Sequence, residues 1–226
     1  MNLSFPYRVD HIPRSTPNSR RPGIRLDPTT ITIHSTANTR STALNERGWL
    51  TNSSNNRTAS WHIAVDDRMA VEAIPLNEVA YHAGNREGNL SSLGLEICES
   101  GNREKTIANT VELVVAVLRE RRWEKEKVVR HFDWSGKICP RIMVVNNWSG
   151  WREFIERIEF ELRGGSRAAL PLPEVQRRLR LYYQGRLINM DGYLIESTSY
   201  VPVKVFTDQL GRRVVWDGKE YSIDIR

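Results

Sequence analysis

The chain has 226 residues, 27% charged and 39% hydrophobic, enough for one or two domains with an ordinary core and too apolar for wholesale disorder. No apolar run approaches the roughly 18 residues that cross a bilayer, so membrane insertion is not expected. A net charge of +6 and a pI near 9.5 favour a polyanionic partner, which could be nucleic acid, an acidic cell wall or an anionic membrane surface.

The opening MNLSFPYRVDHIPRS lacks a basic start followed by an apolar segment and a cleavage site, so synthesis in the cytoplasm without a signal peptide is expected. TTITIHST (29–36) alternates β-branched residues and reads as a strand that delivers His34 to its C-terminal end. STALNERGWLTNSSNN (41–56) reads as a short helix fading into a polar loop, and TASWHIAVDDRMAVEAIP (58–75) as a hairpin stopped by Pro75. LSSLGLEICES (90–100) is a second alternating strand. It sets Gly94, Glu96 and Cys98 on one face and Leu93, Leu95 and Ile97 on the other.

Ile107, Val111, Val114, Val115 and Leu118 recur at helical spacing within 106–122. Trp151, Phe154, Ile155, Ile158 and Leu162 do the same within 146–165, closed by Gly164 and Gly165. Between these helices, KVVRHFDWSGKICPR (127–141) shows almost no apolar period and reads as a loop. The expected fold is α/β, a mixed central sheet flanked by helices over residues 1–163. A linker follows at 164–172, within GGSRAALPLP, and then a small α+β module at 173–226. That module reads as strands, one short helix near 202–210 and a closing hairpin through Asp217 and Gly218.

Two cysteines, Cys98 and Cys139, are too few for a disulfide scaffold. The histidines are His11, His34, His62, His82 and His131. His34 ends a strand, while His131 and Cys139 flank one loop that contains Gly136 and is closed by Pro140. Two imidazoles and a thiolate suit zinc, and three protein ligands leave a fourth position for water, as catalytic zinc sites do. Cys139 could instead be a nucleophile beside His131. Cys98, in mid-strand, reads as a buried packing residue.

ITIHSTAN, ASWHIAVDD, AYHAGN, SLGLEICES and HFDWSGKICPRIM resemble, in that order, stretches of zinc-dependent N-acetylmuramoyl-L-alanine amidases. The likeness is to the phage endolysin and bacillus autolysin branch, related to peptidoglycan recognition proteins, and covers roughly residues 25–163. It implies one zinc ion on His34, His131 and Cys139, with Glu96 as the general acid/base that serves the zinc-bound water and Lys137 stabilising the oxyanion. Some relatives carry a catalytic tyrosine where this chain has Trp61, so the acid–base role falls on Glu96. Trp61, His62 and His82 are expected to line the substrate groove.

The implied activity is cleavage of the amide between N-acetylmuramic acid and the L-alanine of the stem peptide. The implied partners are bacterial peptidoglycan and anionic wall polymers, reached after release from the cytoplasm by a phage endolysin or, alternatively, a bacterial autolysin. Two other functions compete. A binder that recognises peptidoglycan without cutting it would typically lack the cysteine ligand. A nucleic-acid partner has only the charge in its favour, with no paired-ligand finger or helix-turn-helix pattern, and is not expected.

SYVPVKVFTDQLGRRVVWDGKEYSIDI resembles the small repeat named after the N-terminal domain of copper amine oxidases. With no histidine or cysteine after Cys139, a copper site is not expected there. Residues 164–226 carry ten Lys and Arg against seven Asp and Glu, a mild excess that suits attachment to the wall.

Overall fold

The structure is a computed structural model that describes residues 2–164 with their side chains. Beyond them it describes the strand backbones at 178–183, 186–195, 198–200, 214–217 and 222–225. The chain divides into two compact units, Met1–Ser166 and Arg167–Arg226.

In the first unit, six strands form one sheet: β1 (Tyr7–Val9), β2 (Thr30–Ser35), β3 (Ile63–Val65), β4 (Ala70–Glu72), β5 (Ser92–Ile97) and β6 (Val128–Arg130). Their spatial order is β1-β4-β3-β5-β2-β6. Only the β3/β4 hairpin pairs antiparallel; β1/β4, β3/β5, β2/β5 and β2/β6 are parallel, so the sheet is mixed as expected. Side-chain alternation along β2 and β5 then divides the protein in two. Ile31, Ile33, Leu93, Leu95 and Ile97 enter the larger core, where α3 (Arg103–Arg121) and α5 (Val145–Leu162) cover them with Val111, Val114, Leu118, Phe154 and Ile158. The opposite face carries Thr32, His34, Gly94 and Glu96. Residues of α1 (Ala43–Thr51), chiefly Ala43 and Leu50, belong to a smaller cluster with Trp61, Ala64 and Cys98.

The helices α1 and α3 start where side chains satisfy their free N–H groups. Thr42 and Asn45 form a reciprocal capping box on α1, and Asn102 accepts from the Lys105 N–H at the start of α3. Arg119 and Arg121 lie in the last turn of α3, where cations complement the helix dipole.

Three local features differ from the sequence reading. Residues 127–141 are not a single loop, because they hold β6 and a one-turn helix, α4 (His131–Ser135), closed by Gly136 at φ 72°. Three residues of strand and five of helix are too few to express a period. A short helix, α2 (Arg86–Ser91), precedes β5 and is capped by Asn85. The first three residues of α5 after Val145 have positive φ, so regular helix begins after Trp148.

The N-terminal arm is held by ion pairs as well as by β1. Glu78 accepts from Arg21 through both carboxylate oxygens, at 2.8 and 3.0 Å, and from Arg14 at 2.9 Å. The Arg21 hydrogen bonds, ahead of the opposing effect of burial, pull the Glu78 carboxyl down to about 2. A carboxylate held below its unfolded value stabilises the fold above about pH 4.5, and this is lost as pH falls towards 2. Glu78→Gln is therefore expected to cost about 1–2 kcal/mol at pH 7, a figure kept small because Arg14 is largely exposed. The gap to wild type should close near pH 2, which urea unfolding across pH would show; a pH-independent gap would refute the assignment.

In the second unit, β7 (Arg178–Tyr183), β8 (Arg186–Ile195) and β9 (Thr198–Tyr200) form an antiparallel sheet, and β10 (Val214–Asp217) pairs antiparallel with β11 (Ser222–Ile225). The helix expected near 202–210 and linker residues 165–172 lie outside the described residues.

Candidate active site

The β2/β5 register sets His34 directly beside Glu96, and their parallel pairing points both side chains to the α1 side of the sheet. β6 runs on the other side of β2 and feeds straight into α4, whose first residue is His131. The chain turns at Gly136 and returns, so that the Phe132 N–H donates to the Cys139 carbonyl at 3.1 Å. As a result, one ligating atom each from His34, His131 and Cys139 lies within 4.8 Å of the others, and all three residues are buried. These are the three residues that sequence reading grouped.

The donor set fits a soft, borderline cation. His34 Nδ1 stands 3.8 Å from Cys139 Sγ, and His131 Nδ1 is buried with no hydrogen-bond partner, which is costly unless something fills it. Burial, ahead of the nearby positive charge of Lys137, pushes His131 down to about 4, and burial ahead of its histidine neighbours also lowers His34. Both rings are therefore neutral at pH 7, the form that binds metal. Burial pushes the Cys139 thiol up to about 11, so only a strong local cation would ionise it at neutral pH.

A brace between strand ends holds this loop in place. Arg141 makes a forked pair with Glu99, at 2.9 and 2.5 Å, and its N–H donates to Ser35 Oγ at 3.1 Å. Glu99 also accepts from the Ala37 N–H at 2.9 Å. The brace escaped sequence reading because its partners are 42 residues apart, with no local pattern to join them.

Above the three ligands opens a cleft of about 620 Å³. Glu96, Lys137, Trp61 and His82 border it, together with residues that sequence reading did not single out: Trp49, Arg57, Asn38 and Ile138. Trp49 and Ile138 are exposed apolar surface, 42% and 56% accessible, on an otherwise polar rim. Glu96 Oε2 is buried without a partner, and desolvation, reinforced by Glu46, raises its carboxyl to about 8. A carboxyl able to hold or release a proton near neutral pH suits general acid–base work. Lys137 lies exposed on the rim, and its charge reaches Glu96, His34, His131 and Cys139.

Two of the expected groove residues have other work. His62 does not line the cleft: it is fully buried, accepts from the Gly94 N–H at 2.8 Å and donates to the Glu78 carbonyl at 2.8 Å. His82 borders the cleft, but its nitrogens engage His34 and the Ser92 carbonyl, both at 3.1 Å. Trp61 remains a cleft wall, with its indole N–H buried and unpartnered.

Known proteins share both sequence and architecture with this chain. It is 37% identical over 149 residues to N-acetylmuramoyl-L-alanine amidase CwlH of Bacillus subtilis, covering 64% of this chain and 58% of that protein. It is 41% identical over 143 residues to the amidase XlyB of the same organism, covering 60% and 43%. The chain thus spans about half the length of the curated relatives it matches. The solved catalytic domain of XlyA superimposes with a TM-score of 0.61 at 38% identity, covering 67% of this chain and 98% of that domain. The profile of the N-acetylmuramoyl-L-alanine amidase family matches residues 24–142, a span that holds β2, Glu96, α4 and Cys139, and the chain belongs to that family.

Proposed function

We propose that this chain is a zinc-dependent hydrolase that cleaves the amide between N-acetylmuramic acid and the L-alanine of the peptidoglycan stem. The observation that carries the reading is the convergence of His34, His131 and Cys139 within 4.8 Å at the floor of a cleft that Glu96 and Lys137 also border. Zinc bound by these three would polarise a carbonyl and acidify water near neutral pH.

The chain's own residues supply the rest. Glu96 takes a proton from the attacking water and hands it to the departing amide nitrogen, a role that needs a carboxyl poised near neutrality. Lys137 offers positive charge to the oxygen that becomes negative as the carbon turns tetrahedral. Trp49 and Trp61 give the walls flat apolar area for sugar rings, which stack on aromatic faces through their C–H groups. Phe132 and Glu99 hold the Cys139 loop against β2 and α4, so the ligands converge before any substrate arrives.

On this reading residues 1–163 are the catalytic domain, 164–172 a linker and 173–226 a module that helps attachment to the wall. The +6 charge supports association with anionic wall polymers, and the place of action is the cell wall after release, by an endolysin or an autolysin.

The test is mass spectrometry of Gram-positive peptidoglycan digested with the protein, with and without a chelator. Free stem peptides beginning with L-alanine, absent after chelation, are the expected result. Intact glycopeptides with protein retained on the sacculus would replace the enzyme with a binder.

A further inference from the structure

We propose that His82 is a positioning residue for metal binding. Its ring fixes the ligand His34 in the tautomer that presents Nδ1 to the ion. The inference rests on reading His34, His131 and Cys139 as zinc ligands.

The chain of hydrogen bonds has one self-consistent direction. The Ser92 carbonyl can only accept, so the His82 nitrogen 3.1 Å away, Nε2, carries the proton. His82 is buried and no carboxylate pairs with it among the described residues, so the ring is neutral and its Nδ1 is a lone pair. That lone pair accepts from His34 Nε2 at 3.1 Å, which must then hold the proton of His34. His34 Nδ1 is left as a lone pair, and it faces Cys139 Sγ at 3.8 Å. On the other ligand, His131 Nδ1 is buried with no hydrogen-bond partner.

The His82–Ala83 dipeptide is itself pinned. Asn89 Oδ1 accepts from the His82 and Ala83 N–H groups, each at 2.8 Å. The ring of His82 occupies space that only a glycine on β5 leaves open, since a Cβ on Gly94 would meet it at 2.5 Å. Ligand histidines generally depend on such partners, whose loss weakens metal binding by about 10–100-fold.

The experiment compares wild type with His82→Phe, which keeps the ring but not its nitrogens, and His82→Gln, whose amide can both donate to Ser92 and accept from His34. Zinc affinity is read by competition with a chromogenic chelator. His82→Phe should bind zinc about 10–100-fold more weakly. His82→Gln should recover part of the loss. Unchanged affinity in His82→Phe, with only KM raised, would return His82 to the substrate groove and overturn the proposal.

Because a variant can fail through folding alone, nitrogen-15 spectra of the wild-type histidine rings provide a second reading. The Nε2–H tautomer at His34 and His82 is expected in the metal-free protein. An Nδ1–H tautomer at His34 would overturn the relay. Failure of wild type itself to bind zinc would instead refute the ligand assignment beneath it.

Discussion

Glu96→Gln is expected to lower peptidoglycan turnover by about 10²–10⁴-fold while zinc binding stays as in wild type. The amide fills the same space beside His34 but cannot take up and return a proton. Glu96 is absent from the trio whose ligating atoms converge, so the metal has no reason to leave with it. The same substitution should stabilise the metal-free protein. Glu96 Oε2 is buried and unpartnered, and a carboxyl raised to about 8 binds its proton more tightly folded than unfolded. For such a group stability falls as pH rises from about 4.5 to 8, because the unfolded chain ionises first. Glutamine removes that slope, so the variant's advantage should grow across this window to about 1–3 kcal/mol at pH 8 and vanish below pH 4.5. Turnover within a few-fold of wild type would end the acid–base role. Zinc lost together with activity would make Glu96 part of the metal site.

How far the site could be read in advance depended on the length of the signal. The period-two alternation of 92–97 placed Glu96 opposite the leucines, and the structure keeps it there because Leu93, Leu95 and Ile97 must enter the core under α3 and α5. The register that seats His34 beside Glu96 could not be read, since parallel partners 62 residues apart leave no local mark. His62 and His82 show the opposite failure. Their residue types suggested substrate contacts; His62 is instead buried away from the cleft, and His82 borders it with its nitrogens bonded to His34 and the Ser92 carbonyl. The short α4 was missed because five residues hold barely one turn, although Asp133, which accepts from the Arg130 N–H at 2.8 Å, and Gly136 mark its two ends. Chemistry-bearing residue types were thus visible, whereas the hydrogen bonds that set their tautomers and positions were not.

Cys139→Ser separates the two roles that sequence alone allowed for this thiol. As a ligand, the sulfur binds as thiolate; a serine hydroxyl is too weak an acid to replace it, so zinc affinity should fall by at least about 100-fold and activity should go with it. The metal-free fold should survive, because Cys139 is exchanged for a group of similar shape at the end of a loop still braced by Arg141 and Glu99. On this assignment the wild-type protein should gain stability from zinc by mass action, about 2.7 kcal/mol when free zinc is 100 times its dissociation constant, and the variant should lose that gain at the same zinc concentration. Proton release gives an independent reading. With the thiol pushed up to about 11 and both histidines already neutral, zinc uptake by wild type at pH 7 should release about one proton from Cys139, beside the proton that Glu96, raised to about 8, gives up next to the cation. Titration calorimetry in buffers of different ionisation enthalpy would count them, and any residual uptake by Cys139→Ser should lack the Cys139 proton. If the variant keeps zinc at full affinity but loses activity, Cys139 is a nucleophile beside His131 and the metal is held by other groups. If it keeps both, neither role stands.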